Sequence, residues 1–142
     1  MKLPSMNAAC QTDSFHSENS LRFSVKLSII IVHWQTPELL RACVESLLRS
    51  PLKESFEVLI VENSADAHVA EDLAAASPSA RVIRTGHNIG YAAGNNAGFA
   101  EATGEFLLTL NPDTEVLPDT LDRALAVMRA YPDAGALGAR LL

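Results

Sequence analysis

The sequence predicts an open α/β fold, a mostly parallel sheet with helices on both faces. Three observations predict it. Strand-like and helix-like stretches alternate along the chain, the pattern of parallel strands joined through helices. Val25 to Val32 (V-K-L-S-I-I-I-V) and Phe56 to Val61 (F-E-V-L-I-V) are nearly continuous apolar runs, as in strands buried on both faces. A polar cluster also follows each strand-like stretch, which in such a fold gathers the clusters at the carboxyl edge of the sheet, where ligands bind.

Composition sets the frame. A chain of 142 residues, 48% hydrophobic and 20% charged, suits one globular domain with its own core. A net charge of −6 with no basic stripe argues against a nucleic-acid partner. It leaves a nucleotide ligand open, because a bound metal offsets local charge. The two cysteines, Cys10 and Cys43, form neither a disulfide framework nor a zinc spacing, which points to a reducing, cytoplasmic setting. No apolar run approaches the ~20 residues of a membrane span, and the N-terminus lacks the apolar segment of a signal peptide. Peripheral contact with the inner face of a membrane stays open.

Each element has its own local reason. Residues 1–24 are polar and aperiodic and read as a flexible leader, so the folded domain spans 25–142. After the first strand, His33-Trp34-Gln35 leaves the sheet. Thr36 is a candidate N-cap and Pro37 suits the first helical position. Leu40, Cys43, Val44, Leu47 and Leu48 recur at helical spacing through 37–50, and Pro51 helps to stop that helix. The strand at 56–61 runs into the turn Glu62 to Asp66, and a helix follows over about 67–76. Arg81 to Arg84 is a short third strand. A helix is expected across about 92–103, with Gly104 as its C-cap. Glu105 to Leu110 is the fourth strand. Pro118 opens a last helix with Leu121, Leu125 and Met128 on one face, and 136–142 could begin a fifth strand.

The stretch from Thr85 to Glu115 carries the chemistry. Its glycines at 86, 90, 94 and 98 are four apart, so neither the dinucleotide fingerprint nor a P-loop is present. Glycines so spaced share a helix face and admit a close neighbour, which can be a packed strand or a ligand. Asn88, Asn95 and Asn96 offer polar contacts or local caps. In Asn111-Pro112-Asp113 the carboxylate could bind Mg²⁺ or Mn²⁺, which share oxygen ligands with phosphates. The same residues also suit a plain β-turn. Glu62-Asn63 could meet a nucleobase edge or cap a turn. Trp34 could stack on a base or sit half-buried. His33, His68 and His87 have no metal-ligand spacing, and Cys43 reads as a small core residue.

Three stretches, L-S-I-I-I-V-H-W-Q-T-P-E-L-L, V-L-I-V-E-N-S-A-D and H-N-I-G-Y-A-A-G-N-N-A-G-F-A-E-A-T-G-E-F-L-L-T-L-N-P-D-T-E, all lying within residues 27–117, carry a resemblance. The chain resembles the family-two inverting glycosyltransferases of the GT-A fold, in particular the rhamnosyltransferase-like branch. The resemblance implies a Rossmann-like nucleotide-binding half. It also implies transfer of a sugar from a nucleotide-diphosphate donor, dTDP- or UDP-linked, to a glycan or glycolipid hydroxyl. By resemblance Trp34 and Glu62 border the base with Asn63 beside them, Asn88, Gly90 and Asn95 line the nucleotide cleft, and His33 and Tyr91 also belong to the donor-binding set. Asn111 and Asp113 stand in the D-x-D position, with Asp113 as the ligand of a divalent metal, Mg or Mn. The metal stabilises the departing diphosphate, and a carboxylate deprotonates the acceptor.

Three departures from the family pattern qualify this. Glu62 replaces an Asp, and Asn111 replaces the first acid of D-x-D. The family's catalytic base and acceptor site lie beyond the D-x-D strand, so no catalytic residue is assigned. The expectation is a domain truncated at its C-terminus that binds a nucleotide diphosphate but transfers sugar poorly or not at all alone. The alternative is a non-catalytic, oligomerising or nucleotide-binding module, with the tail A-L-G-A-R-L-L as a sticky strand that predicts homo-oligomers. A nucleotidyltransferase would usually need a basic phosphate-gripping loop, which the sequence lacks.

Overall fold

The computed structural model describes residues 25–50 and 52–139. The expected leader at 1–24, with Cys10, the stop at Pro51 and the last three residues of the tail lie outside the described residues. The element order is β1 (Val25–His33), α1 (Pro37–Arg49), β2 (Phe56–Glu62), α2 (His68–Ala75), β3 (Ala80–Arg84), α3 (Tyr91–Glu101), β4 (Gly104–Leu110) and α4 (Thr120–Ala130). Four strands form one sheet in the order β3-β2-β1-β4, and every pairing is parallel.

The apolar runs explain why β1 and β2 are central. Ile29, Ile30 and Ile31 in β1 and Val58, Leu59, Ile60 and Val61 in β2 are fully buried. Alternate residues supply two separate cores. Leu27, Ile29, Ile31, Val58 and Ile60 pack with Leu40, Val44 and Leu47 of α1, Leu73 of α2, and Leu121 and Leu125 of α4. Ile30, Val32, Leu59 and Val61 face the other way, toward Ala97 of α3 and Ala102. Helices therefore cover both faces, as expected. Burial of each such side chain contributes about 1.5–3 kcal/mol, so the two central strands anchor the domain.

The glycines of α3 settle one open alternative. A Cβ on Gly98 would lie 2.4 Å from Cγ2 of Ile30, and one on Gly94 would lie 2.8 Å from Cγ1 of Val32. These two positions bring α3 close to β1, so their missing side chains serve strand packing.

Several expected boundaries move. β1 continues through His33, because His33 pairs in register with Glu62. Gly104 begins β4 instead of capping α3; its N–H donates to Ser28 Oγ at 2.8 Å, and a Cβ there would meet Ser28 backbone nitrogen at 2.5 Å. The last helix starts at Thr120, two residues after Pro118. Residues 136–139 form no strand. Thr36 sits at the N-cap of α1 without a side-chain capping bond. Among the described residues, no helix is long and apolar enough to cross a membrane.

Candidate functional site

In a parallel sheet of order β3-β2-β1-β4, α1 carries the chain from β1 to one side, and α3 returns it to the other. The order reverses between β1 and β4, and the crevice outside the carboxyl ends of those strands is where such sheets bind ligands. The four polar clusters gather along this edge, at the ends of β1, β2, β3 and β4.

The loop after β1 carries Trp34, which is 49% exposed and available to stack on a flat ligand. Gln35 follows in the left-handed region, φ 53°. His33 is buried beneath it. Its Nδ1 lies 2.6 Å from Glu62 Oε2, and its Nε2 accepts the Thr36 backbone N–H at 3.1 Å.

Glu62 is only 1% exposed. Besides His33, its carboxylate accepts from Ser64 N–H (2.9 Å) and Ser64 Oγ (2.6 Å) through Oε1. Asn63 is likewise buried and occupied by protein partners. Its Oδ1 accepts from Ile89 N–H at 3.0 Å and from Thr85 Oγ1 at 3.1 Å. Its Nδ2 donates to Asn88 Oδ1 at 3.1 Å. These two residues, read from sequence as a base-edge pair, hold the neighbouring loops together in this structure.

Asn88 Oδ1 also accepts Gly90 N–H at 2.8 Å, and Gly90 adopts φ 85°, ψ 166°, a conformation essentially reserved for glycine. The chain then enters α3 at Tyr91, whose hydroxyl donates to Asn111 Oδ1 at 2.9 Å. Asn95 donates through Nδ2 to the Tyr91 carbonyl at 3.0 Å. Its side chain is 7% exposed, and its Oδ1 has no protein partner.

Asn111 and Asp113 are exposed at the end of β4. Two side chains of α1 and that of its C-cap, Ser50, hold the loop that carries them. The Cys43 thiol donates to the Asn111 carbonyl at 3.6 Å. Ser46 Oγ accepts Val116 N–H at 2.9 Å, and Ser50 Oγ donates to the Leu117 carbonyl at 3.3 Å. Ser46 and Ser50 escaped the sequence reading. Their signal was present: 43, 46 and 50 share one helix face with the apolar positions. Burial, and then the Asp113 charge, push the Cys43 thiol up to about 11, against a Thr114 backbone hydrogen bond that pulls it down. Asp113 lines a cavity of about 280 Å³ with Cys43, Glu45, Arg49 and Pro112.

No group of three His, Cys, Asp or Glu among the described residues could hold a metal alone. The donor set at Asp113, one exposed carboxylate beside a cavity, fits an ion that takes its remaining ligands from phosphates and water.

The glycosyl transferase family 2 model matches residues 28–142. The chain is 37% identical over 125 residues to the O-antigen biosynthesis protein RfbC of Myxococcus xanthus, covering 86% of this chain and 10% of that protein. It is 32% identical over 102 residues to the putative glycosyltransferase EpsH of Bacillus subtilis, covering 70% and 29%. The chain thus spans a tenth to under a third of the length of these relatives. Among solved structures, S. aureus TarS (residues 1–349) in complex with UDP-GlcNAc superposes with a TM-score of 0.66 at 20% identity, covering 82% of this chain and 37% of that one. The mannosyltransferase PcManGT from Pyrobaculum calidifontis, in complex with GDP-Man and Mn²⁺, gives 0.65 at 18%, covering 73% and 32%. The parallel sheet is that of the GT-A neighbours, and the match over most of the chain establishes that it belongs to glycosyl transferase family 2.

Proposed function

We propose that this chain is the donor-binding part of an inverting glycosyltransferase that moves a sugar from a nucleotide diphosphate to a glycan or glycolipid hydroxyl. The observation that carries this is that an exposed Trp34 follows β1 while the exposed Asn111 and Asp113 follow the neighbouring parallel strand β4, at the same edge of the sheet. Trp34 offers a ring face for the base. Asn88, Gly90, Tyr91 and Asn95 border the cleft between. Asp113 would hold Mg²⁺ or Mn²⁺ together with the diphosphate, with Asn111 beside it. A bound divalent ion supplies charge neutralisation for the leaving diphosphate. The UDP-GlcNAc of TarS and the GDP-Man and Mn²⁺ of PcManGT support the ligand class, and the name of RfbC supports a role in polysaccharide biosynthesis. No residue is assigned as the catalytic base. The cysteine usage fits a cytoplasmic protein, and the glycan or glycolipid acceptor is compatible with work at the inner face of a membrane.

Calorimetric titration with UDP and dTDP, each with and without Mn²⁺, tests the reading. Binding should strengthen with metal, and Asp113→Asn should weaken the metal-supported binding by on the order of tenfold and abolish the metal effect. Equal binding by both proteins with and without metal would exclude Asp113 from the site.

One observation favours the second reading, an oligomerising module. β4 has no neighbour on its outer side among the described strands, and Leu107 on it is 51% exposed. Unpaired strand edges invite pairing with another copy. Self-association by light scattering, unaffected by nucleotide and lost on Leu107→Lys, would favour that role.

A further inference from the structure

The buried His33–Glu62 pair sits beneath the two loops that border the base end of the crevice. Its hydrogen bonds assign the ring tautomer. A backbone N–H can only donate, so His33 Nε2, which faces Thr36 N–H at 3.1 Å, must present a lone pair. The ring proton is then on Nδ1, and it is donated to Glu62 Oε2 at 2.6 Å. The carboxylate passes the connection on through Oε1 to Ser64 N–H and Oγ. One chain of hydrogen bonds thus runs from the Thr36 backbone, through an imidazole and a carboxylate, to the loop after β2.

The Trp34 loop needs such an anchor. Gln35 is held at φ 53°, a conformation that costs a non-glycine residue energy and persists only where its surroundings impose it. Bonds on both sides of Gln35 impose it here: His33 is fixed in β1, and the Thr36 N–H is tied back to the His33 ring. Both side chains are buried, 4% and 1% exposed, so neither presents a surface to a ligand.

We propose that His33 and Glu62 are positioning residues: they do not touch the donor, but lock the loop that offers Trp34 to its base. This rests on the donor-site reading above.

Trp34 is the only tryptophan in the chain, so its fluorescence reports on this loop directly. His33→Asn places an amide N–H near the Nδ1 position, facing Glu62, and leaves the Thr36 N–H without an acceptor. Acrylamide quenching of Trp34 should rise while the far-ultraviolet spectrum is unchanged, and affinity for UDP or dTDP should fall about two- to tenfold, the value of one lost hydrogen bond. Ser64→Ala, on the far side of Glu62, should leave quenching unchanged. Unchanged quenching in His33→Asn, or an equal rise in Ser64→Ala, overturns the lock. If the wild-type chain binds neither nucleotide, the donor-site reading fails, and with it the link to a base; quenching alone still decides whether the lock exists. If His33→Asn does not fold, the wild-type ring decides by nitrogen NMR. Protonated Nδ1 with bare Nε2 at neutral pH supports the proposal, and a proton on Nε2 overturns it.

Discussion

The Tyr91 hydroxyl donates to Asn111 Oδ1 at 2.9 Å, tying the first residue of α3 to the residue that follows β4. It bridges the glycine-rich stretch and the N-P-D turn across the side of the cleft where a diphosphate is proposed to lie. Tyr91 is 54% exposed, so the bond contributes little to global stability, but it engages Asn111 Oδ1 and so orients the amide. Tyr91→Phe should leave Tm nearly unchanged and weaken nucleotide binding about two- to tenfold, in line with one hydrogen bond of about 0.5–1.5 kcal/mol. Unaltered affinity by calorimetry would show that Asn111 does not need this tether to serve the site.

Gly98 makes the sharpest packing demand in α3. Alanine raises helix propensity by about 1 kcal/mol over glycine. Against this, its Cβ would stand 2.4 Å from Ile30 Cγ2, a branched side chain fully buried in β1 and stiff at χ1. Overpacking of this kind costs about 1–3 kcal/mol, so the clash should win. Gly98→Ala is expected to lower the urea midpoint. A midpoint equal to or above wild type would mean that α3 can slide away from β1 without loss.

Much of this architecture is legible in the sequence for a physical reason. The β-branched run Ile29 to Val32 favours a strand covered on both faces, and the 3–4 spacing of Leu40, Cys43, Val44 and Leu47 marks one buried helix stripe. With strands and helices alternating, the four polar clusters had to meet at one edge. What stayed hidden depends on partners distant in sequence. Glycine spacing alone could not distinguish Ile30 from a ligand opposite Gly98. Neither could the dipeptide Glu62-Asn63 reveal that its polar atoms are taken by His33, Ser64, Thr85 and Ile89, because the His33 contact follows from the register of β1 on β2 and the Thr85 and Ile89 contacts from the pairing of β2 with β3. Gly104 looked like a helix cap, yet its role is to let β4 close onto Ser28.

Cys43 should be a quiet thiol. Burial, joined by the nearby Asp113 charge, pushes it up to about 11 from 9.0, so the reactive thiolate is scarce at neutral pH. The sign of the linkage follows. A proton held more tightly by the folded state supports stability fully below about pH 9.0 and less as pH rises toward 11. Iodoacetamide labelling, read by peptide mapping so that Cys10 is scored separately, should be slow at Cys43 until urea unfolds the chain. Asp113→Asn removes the second cause of the shift, so the alkaline loss should begin at the same pH, set by the unfolded thiol, but be smaller and end at a lower pH. Rapid native labelling of Cys43 would contradict its burial under the Asp113 loop.

Glu57 predicts the acid side of the stability profile. Burial pushes its carboxyl up, but hydrogen bonds from Ser28 Oγ and from the Thr103 N–H and Oγ1, with the Arg81 charge, outweigh it and hold it below the usual 4.5. Ser28 Oγ is 2.6 Å away and Thr103 N–H 2.7 Å, so one carboxylate joins β1, β2 and the turn into β4 at the amino edge of the sheet. Because the folded state lowers this pKa, the ionised form favours folding. Its contribution is fully present above pH 4.5 and is lost as pH falls through the lower folded value. Glu57→Gln keeps the shape, loses the charge, and should be less stable than wild type at neutral pH. The two urea midpoints should converge as pH falls below 4.5, since the wild-type carboxylate is then protonated too. A gap of constant size across that window would assign the loss to packing and remove the charge from the explanation.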